Sequence, residues 1–144
     1  MKGRIAIAAL GIAACTAAIP SAHAWVEANV WDGIYTAAQA QRGQALYAKN
    51  CAACHKDDLQ GHGTTPSLAG EEFVEKWDGQ TVGDLFEKMQ VSMPADHPGS
   101  LSREQNAAIL AFILRFNGFP AGQADLGTDA DGLAKVRFTA AKSK

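Results

Sequence analysis

The sequence predicts an all-α domain, and three observations support this prediction. Apolar residues recur at helical spacing in three separate segments of the chain. Each segment follows a Ser or Thr that can cap a helix, with a second capping residue three positions later. Internal repeats and clear strand alternation are absent. A chain of 144 residues has room for one hydrophobic core.

The first helix is predicted to run from about Ala37 to Asn50. Thr36 has the character of an N-cap, and Gln39 lies where the second residue of a capping box belongs. Gly43, inside this helix, costs about 1 kcal/mol relative to Ala. We therefore expect Gly43 to permit the close approach of another element.

The strongest helical signal begins at Ser102, which forms a predicted capping box with Gln105. An apolar stripe wide enough to be core follows, formed by Ala108, Ile109, Phe112, Ile113 and Phe116. The pair Asn117-Gly118 ends the helix. We expect the apolar faces of residues 37–50 and 102–116 to cross near Gly43.

The rest of the chain has weaker signals. Residues 71–77 are predicted to form a short helical turn, and a helix that Thr81 caps is predicted to end near Gln90. The glycine-rich and proline-rich segments 56–70 and 91–100 are predicted to be loops. Residues 128–138 are expected to make a short turn, with Leu133, Val136 and Phe138 packing back on the domain.

Residues 1–24 have the pattern of a secretory signal peptide. Lys2 and Arg4 precede an apolar run, and cleavage is predicted after Ala24. The apolar run is shorter than the ~20 residues of a membrane-spanning helix. Cys15 resembles a lipoprotein processing site, but the apolar run continues past it to the conventional site. We expect an exported chain that begins at Trp25.

The charge of the predicted mature chain argues against nucleic acid as a partner. Residues 1–24 contain two basic residues and no acidic ones, so the 13 basic and 15 acidic residues of the whole chain become 11 and 15. The resulting net charge is −4, whereas a nucleic-acid-binding domain is usually basic.

The stretch with the clearest chemistry is Cys51-Ala52-Ala53-Cys54-His55. The pattern C-x-x-C-H is typical of covalent haem attachment. Two intervening residues let the two sulfurs reach the two vinyl groups of one macrocycle, and the adjoining His55 is a ligand for the iron. The stretch therefore predicts one haem c, bound by Cys51 and Cys54 and ligated by His55.

Two other uses of this stretch fit less well. A redox C-x-x-C usually lies in a βαβ pattern, whereas the residues before Cys51 have helical character. A zinc site needs four ligands and would have to recruit two of His55, His62 and His97. Because His55 directly follows Cys54 in the sequence, the spacing of these two residues fits a zinc site poorly.

Met93 is the predicted second axial ligand of the iron. Pro94 disfavours helical geometry at the residue before it, so Met93 is expected to be extended in a loop. Met89 falls on an apolar helix face and is expected to be core, and His62 is expected to be an exposed loop residue. His97 is the alternative ligand.

Ligation by His and Met fills both axial positions of the iron. It raises the reduction potential of the haem and suits electron transfer. A sensor or a peroxidase would require Met93 to leave the iron.

The other ring nitrogen of His55 also needs a partner. Metal-bound histidines usually donate their second N–H to a carbonyl or a carboxylate, which fixes the ring. The loop residue Pro66 is placed to supply such a carbonyl.

These residues together resemble the class I c-type cytochromes over residues 29–122. The resemblance implies the class I cytochrome c fold, in which three to four helices surround one haem. It implies that Gly43 and Tyr47 pack on Phe112 or its neighbours. It also identifies Pro66-Ser67-Leu68 as the family's Pro-x-Leu, which supports the carbonyl bond to His55.

A narrower resemblance rests on VWDGIYT, RGQALYAKNCAACH, SMPADHPGSLS and AFILRFNGFPAG. These segments are similar to small cytochromes, or cytochrome domains, that serve periplasmic dehydrogenases such as quinoprotein alcohol dehydrogenases. The resemblance implies a periplasmic electron carrier, not itself an enzyme, between a dehydrogenase and an oxidase or another cytochrome. A tightly bound subunit of a dehydrogenase complex is the alternative, in which Trp25, Trp31 and Tyr35 would be exposed interface residues.

The expected organisation has three parts. Residues 1–24 are the signal peptide, residues 25–122 form the cytochrome c domain, and residues 123–144 form a C-terminal extension with no recognisable match. No membrane span is expected in the mature chain.

Overall fold

The computed structural model describes residues 28–142, and this part of the chain is almost entirely helix and loop. Its helices are α1 (Ala37–Asn50), α2 (Ala52–His55), α3 (Gly70–Trp77), α4 (Val82–Ser92), α5 (Arg103–Phe116) and α6 (Ala130–Leu133). Strands β1 (Ala28–Asn29) and β2 (Val136–Arg137) form one short parallel pair, and a 3-10 turn at Val30–Asp32 follows β1. The predicted all-α class is confirmed. The predicted signal peptide, Cys15 and Trp25 lie outside the described residues.

Helices α1 and α5 form the main packing unit of the domain. At their crossing, a Cβ atom added to Gly43 would lie 1.8 Å from the carbonyl oxygen of Ala108. One turn further along, the rings of Tyr47 and Phe112 pack with their centroids 5.2 Å apart. The predicted crossing at Gly43 is confirmed, since no side chain fits between the two backbones at this point.

The predicted helix caps are mostly confirmed. Ser102 and Gln105 form a reciprocal capping box at α5. Thr36 caps α1 as predicted, but Gln39 does not complete the box. The Gln39 side chain instead donates to the carbonyl of Leu126 at 2.9 Å and accepts from its N–H at 2.7 Å. The prediction of a capping box at α1 was wrong, because the Gln39 side chain instead satisfies the buried N–H and carbonyl groups of Leu126.

Helix α4 is two residues longer than predicted. It ends at Ser92, and Met93 is its C-cap residue with extended dihedral angles (φ −124°, ψ 149°). The steric conflict between a proline and the residue before it explains this boundary, because Pro94 blocks helical geometry at Met93 and at no earlier residue.

The C-terminal segment contributes to the same core as the helices. Leu126, Leu133 and Phe138 are 5%, 3% and 0% exposed. The Phe138 ring packs edge-on against Phe73 and Phe119. The prediction that residues 128–138 turn and pack back is confirmed, while the division of the chain at residue 122 stays a prediction.

The subunit alternative expected Tyr35 to be an exposed interface residue, and this expectation was wrong. Tyr35 is fully buried, and its hydroxyl group donates to the carbonyl of Phe119 at 2.5 Å. Trp31 is partly buried, with its ring 4.7 Å from that of Phe119. Gly33, between these two aromatic residues, has a left-handed φ of +71°, and the N–H of Gly122 donates to the carbonyl of Tyr35 at 2.7 Å.

No helix within residues 28–142 is long and apolar enough to span a bilayer.

Candidate haem site

The C-x-x-C-H stretch lies where α1 ends and α2 begins. The N–H of Cys51 donates to the carbonyl of Tyr47 at 2.8 Å, and the N–H of His55 donates to the carbonyl of Cys51 at 2.9 Å. These bonds place both thiols and the imidazole on one tight helical turn. Cys51 is partly buried, Cys54 is exposed and His55 is 8% exposed. Both cysteines are free.

The loop carbonyl predicted to orient His55 is present. The Nδ1 atom of His55 lies 3.0 Å from the carbonyl oxygen of Pro66. A carbonyl oxygen only accepts hydrogen bonds, so Nδ1 carries the proton. The lone pair of the neutral ring is then on Nε2, which is the arrangement that a metal-ligating histidine needs. The predicted contact with Pro66 is confirmed.

Gly61 allows the Pro66 carbonyl to reach this position. The N–H of Gly61 donates to the carbonyl of His55 at 3.0 Å. Its φ is +68°, and a Cβ atom at this residue would lie 2.3 Å from the carbonyl oxygen of Thr65 and 2.7 Å from that of Pro66. The sequence predicted Gly61 only as a loop residue, because its residue type does not specify which carbonyl groups approach it.

Tyr47 connects the first helix to the backbone beyond the motif. Its hydroxyl group donates to the carbonyl of Lys56, the residue after His55, at 2.8 Å. Burial raises the pKa of Tyr47, with smaller contributions from Cys51 and the nearby acidic residues, so the hydroxyl group keeps its proton. Lys56 itself has a left-handed φ of +62°. Tyr47 therefore holds the end of the haem motif as well as packing on α5, and only the packing was predicted from the sequence.

The environment of Cys51 favours the protonated, neutral thiol. Burial, together with the nearby Cys54, raises the pKa of Cys51 to about 11. Dithiol enzymes depend on the opposite shift, which makes a thiolate available at neutral pH. In the described part of the chain, no three His, Cys, Asp or Glu side chains come together as a metal site. The alternatives of dithiol chemistry and a four-ligand zinc site therefore have no support in this arrangement.

The candidates for the second axial ligand differ in their environments. Met93 is partly buried and extended at the start of its loop, whereas Met89 packs against the hydrophobic core. His62 is exposed, and its backbone pairs with that of Thr65. The side chain of His97 is 79% exposed. These environments are the ones expected if Met93 is the ligand, and the choice of Met93 stays a prediction.

The side chains of this region suit a c-type haem. Two thiols three residues apart can form two thioether bonds, and an imidazole of fixed tautomer is available as an iron ligand. Met93, which is partly buried, carries a soft thioether that is predicted to be the second ligand. An all-α domain with this donor set belongs to the class of c-type cytochromes.

Comparison with known families agrees with this class. The family model described as cytochrome c oxidase, cbb3-type, subunit III matches residues 38–113, which is more than half of the chain. The chain belongs to this family of cytochrome c domains. The predicted class I cytochrome c fold is thereby confirmed, and the family implies that haem c is the cofactor.

One solved structure is also similar to the chain. It is the crystal structure of the sulfane dehydrogenase SoxCD from Paracoccus pantotrophus, with 28% sequence identity and a TM-score of 0.49. The match covers 90% of this chain and 68% of that chain. No curated protein matches the chain.

Proposed function

We propose that the chain is an exported monohaem cytochrome that carries single electrons from a periplasmic dehydrogenase to a respiratory acceptor, either an oxidase or another cytochrome. The observation that carries this proposal is the C-x-x-C-H turn with the His55 ring held by the Pro66 carbonyl at 3.0 Å. The cytochrome c family supports the electron-transfer role. The predicted signal peptide supports export.

Each site residue has one role in this proposal. Cys51 and Cys54 would hold the haem through thioether bonds, each formed by addition of an S–H group across a vinyl group, so that no leaving group is needed. His55 would hold the iron through Nε2 while Nδ1 stays bonded to Pro66. Met93 would supply a thioether sulfur as the second protein ligand of the iron. When bound, a haem with two protein ligands gains and loses one electron.

The proposed role is transport of electrons rather than catalysis. Because His55 and Met93 would fill both axial positions, no position is left for a substrate. The thioether of Met93 favours the reduced state and so raises the reduction potential. Cys54 is exposed, so one attachment point lies at the protein surface, where a partner protein can approach.

The intact mass of protein from the periplasmic fraction tests the proposal. We expect a chain that starts at Trp25 and carries the mass of one haem. A matched variant with Cys51→Ala and Cys54→Ala should lose the covalent haem. A native protein that contains no haem, or that retains residues 1–24, would contradict the proposal.

A tightly bound subunit of a redox complex is the second candidate. The description of the matching family is that of an oxidase subunit, which favours this alternative. Val91 is 66% exposed two residues before Met93, so an apolar side chain is available for contact with a partner. Gel filtration of the native protein separates the candidates, because a free carrier elutes as a monomer and a subunit elutes with its complex.

A further inference from the structure

Asn106 is a buried polar residue that the site described above does not use. Only three polar or charged side chains are buried in the described part of the chain, and they are Gln39, His55 and Asn106. Gln39 holds the backbone of Leu126, and His55 belongs to the haem motif. Asn106 is 1% exposed and is followed in α5 by eight consecutive buried apolar residues. Burying an amide at this position is costly unless it gains a specific partner.

The partner of Asn106 is Gln90, in the last turn of α4. The Nδ2 group of Asn106 donates to Oε1 of Gln90 at 2.9 Å. The Nε2 group of the same Gln90 side chain donates to the carbonyl of Leu101 at 3.2 Å. Gln90 precedes Met93 by three residues, and Leu101 is the last residue before the N-cap of α5. We call this arrangement the Gln90 bridge; it connects α4, α5 and the far end of the Met93 loop (residues 93–101).

The Met93 loop has few other contacts that would fix its conformation. Residues 95–100 are all exposed. Within the loop, the N–H of His97 donates to the carbonyl of Pro94 at 3.0 Å, and the N–H of Ser100 donates to the carbonyl of His97 at 3.2 Å. Segments with few buried contacts and exposed hydrogen bonds open most easily. The ends of the loop therefore determine how firmly Met93 is held.

We infer that Gln90 and Asn106 are positioning residues for Met93, whose thioether they hold in place by closing the two ends of its loop. The inference rests on the proposed role of Met93 as an iron ligand. An apolar residue at position 106 would pack in α5 without the cost of burying an amide. The hydrogen bond to Gln90 therefore accounts for the buried side-chain amide of Asn106.

Imidazole binding to the oxidised haem protein tests the inference, because added imidazole competes with the Met93 sulfur for the iron. Its apparent affinity depends on the fraction of protein in which Met93 is detached. In Asn106→Leu and in Gln90→Leu, we expect imidazole to bind about tenfold more tightly than in the unmutated protein, which corresponds to the loss of one or two hydrogen bonds. The double variant should show no more than the larger single effect, since both changes break one bridge.

The control removes a different contact between α4 and α5. Arg103 and Glu87 form an ion pair at 2.8 Å between the same two helices, and each lies three residues before a member of the Gln90 bridge. Glu87→Gln should leave the affinity for imidazole unchanged. Urea unfolding of each variant reports stability separately, and Asn106→Leu should raise the imidazole affinity without a matching loss of stability.

The outcomes separate the inference from the proposed function. Methionine ligation gives oxidised haem a weak sulfur-to-iron charge-transfer band in the near infrared. Absence of this sulfur-to-iron band from the unmutated protein would overturn Met93 as the ligand, and the inference with it. A band in the unmutated protein, with unchanged imidazole affinity in the bridge variants, would overturn the inference alone. Additive effects in the double variant would also contradict it. If Asn106→Leu does not retain haem, Gln90→Leu decides the result, because Gln90 is only partly buried.

Discussion

At His55, one hydrogen bond sets the chemistry of the ring. The Pro66 carbonyl fixes the proton on Nδ1 and leaves the lone pair of Nε2 available to a metal. The sequence predicted both residues, because the haem motif is local and the loop proline lies within one short segment. The roles of Gly61 and of the Tyr47 hydroxyl group were not predicted. They depend on loop conformation and on left-handed backbone at Gly61 and Lys56, which the residue types alone do not specify.

Gly61→Ala tests the close backbone approach beside His55. The new Cβ would lie 2.3 Å from the Thr65 carbonyl oxygen. Gly63→Ala is the matched control, because Gly63 also has a positive φ but no atom within 4 Å of an added Cβ. We expect Gly63→Ala to cost about 1 kcal/mol for its left-handed conformation. Gly61→Ala should cost about 1 to 3 kcal/mol more through overpacking. Urea unfolding of the haem protein measures both, and equal costs would contradict the account.

At the level of elements, the strong helices were predicted almost to the residue. Helix α1 has the predicted bounds, and α5 begins directly after the predicted cap at Ser102. Both depend on local signals, namely a cap, an apolar stripe and a helix stop. The errors arose where a distant or overlooked partner decides the outcome. Gln39 bonds to Leu126, 87 residues away, and Pro94 sets the end of α4.

Gly43→Leu tests the crossing of α1 and α5. A side chain at Gly43 meets the backbone of Ala108, which cannot move without separating the helices. We expect a loss of about 1 to 3 kcal/mol from overpacking, even after the gain in helix propensity. Ala45→Leu is the control on an exposed position of the same helix, and its expected effect is within about 0.5 kcal/mol. A neutral Gly43→Leu variant, measured by urea unfolding, would show that the crossing lies elsewhere.

At the level of the whole molecule, the C-terminal segment completes the fold. β2 pairs with β1, and the N–H of Gly79 donates to the carbonyl of Phe138 at 2.9 Å. The sequence predicted that Leu133 and Phe138 pack back, but it did not predict their partners. Phe73 and Gly79 lie 65 and 59 residues before Phe138 along the chain, and no local period records such contacts. Helix α1 leads directly into the haem motif and packs on α5, so the position of the motif depends on the crossing of these two helices.

Phe138→Ala tests this contribution of the C-terminal segment. Phe138 is fully buried between two aromatic rings, so its truncation should cost about 3 to 5 kcal/mol. Phe116→Ala is the matched control, because Phe116 is 46% exposed, and its cost should be clearly smaller. Thermal unfolding followed by far-UV circular dichroism measures the difference. Similar costs for the two phenylalanines would show that the segment is not part of the core.

The near-infrared spectrum of the oxidised protein tests most directly the central claim, that His55 and Met93 hold the haem iron. We expect the weak sulfur-to-iron charge-transfer band in the unmutated protein and its complete loss in Met93→Ala, because that change removes the thioether ligand. Met89→Leu is the control, and it should keep the band and cost less than about 1.5 kcal/mol in stability. A band that survives Met93→Ala and disappears in Met89→Leu would contradict the account and transfer the ligand role to Met89. Absence of the band from the unmutated protein would contradict ligation by methionine altogether.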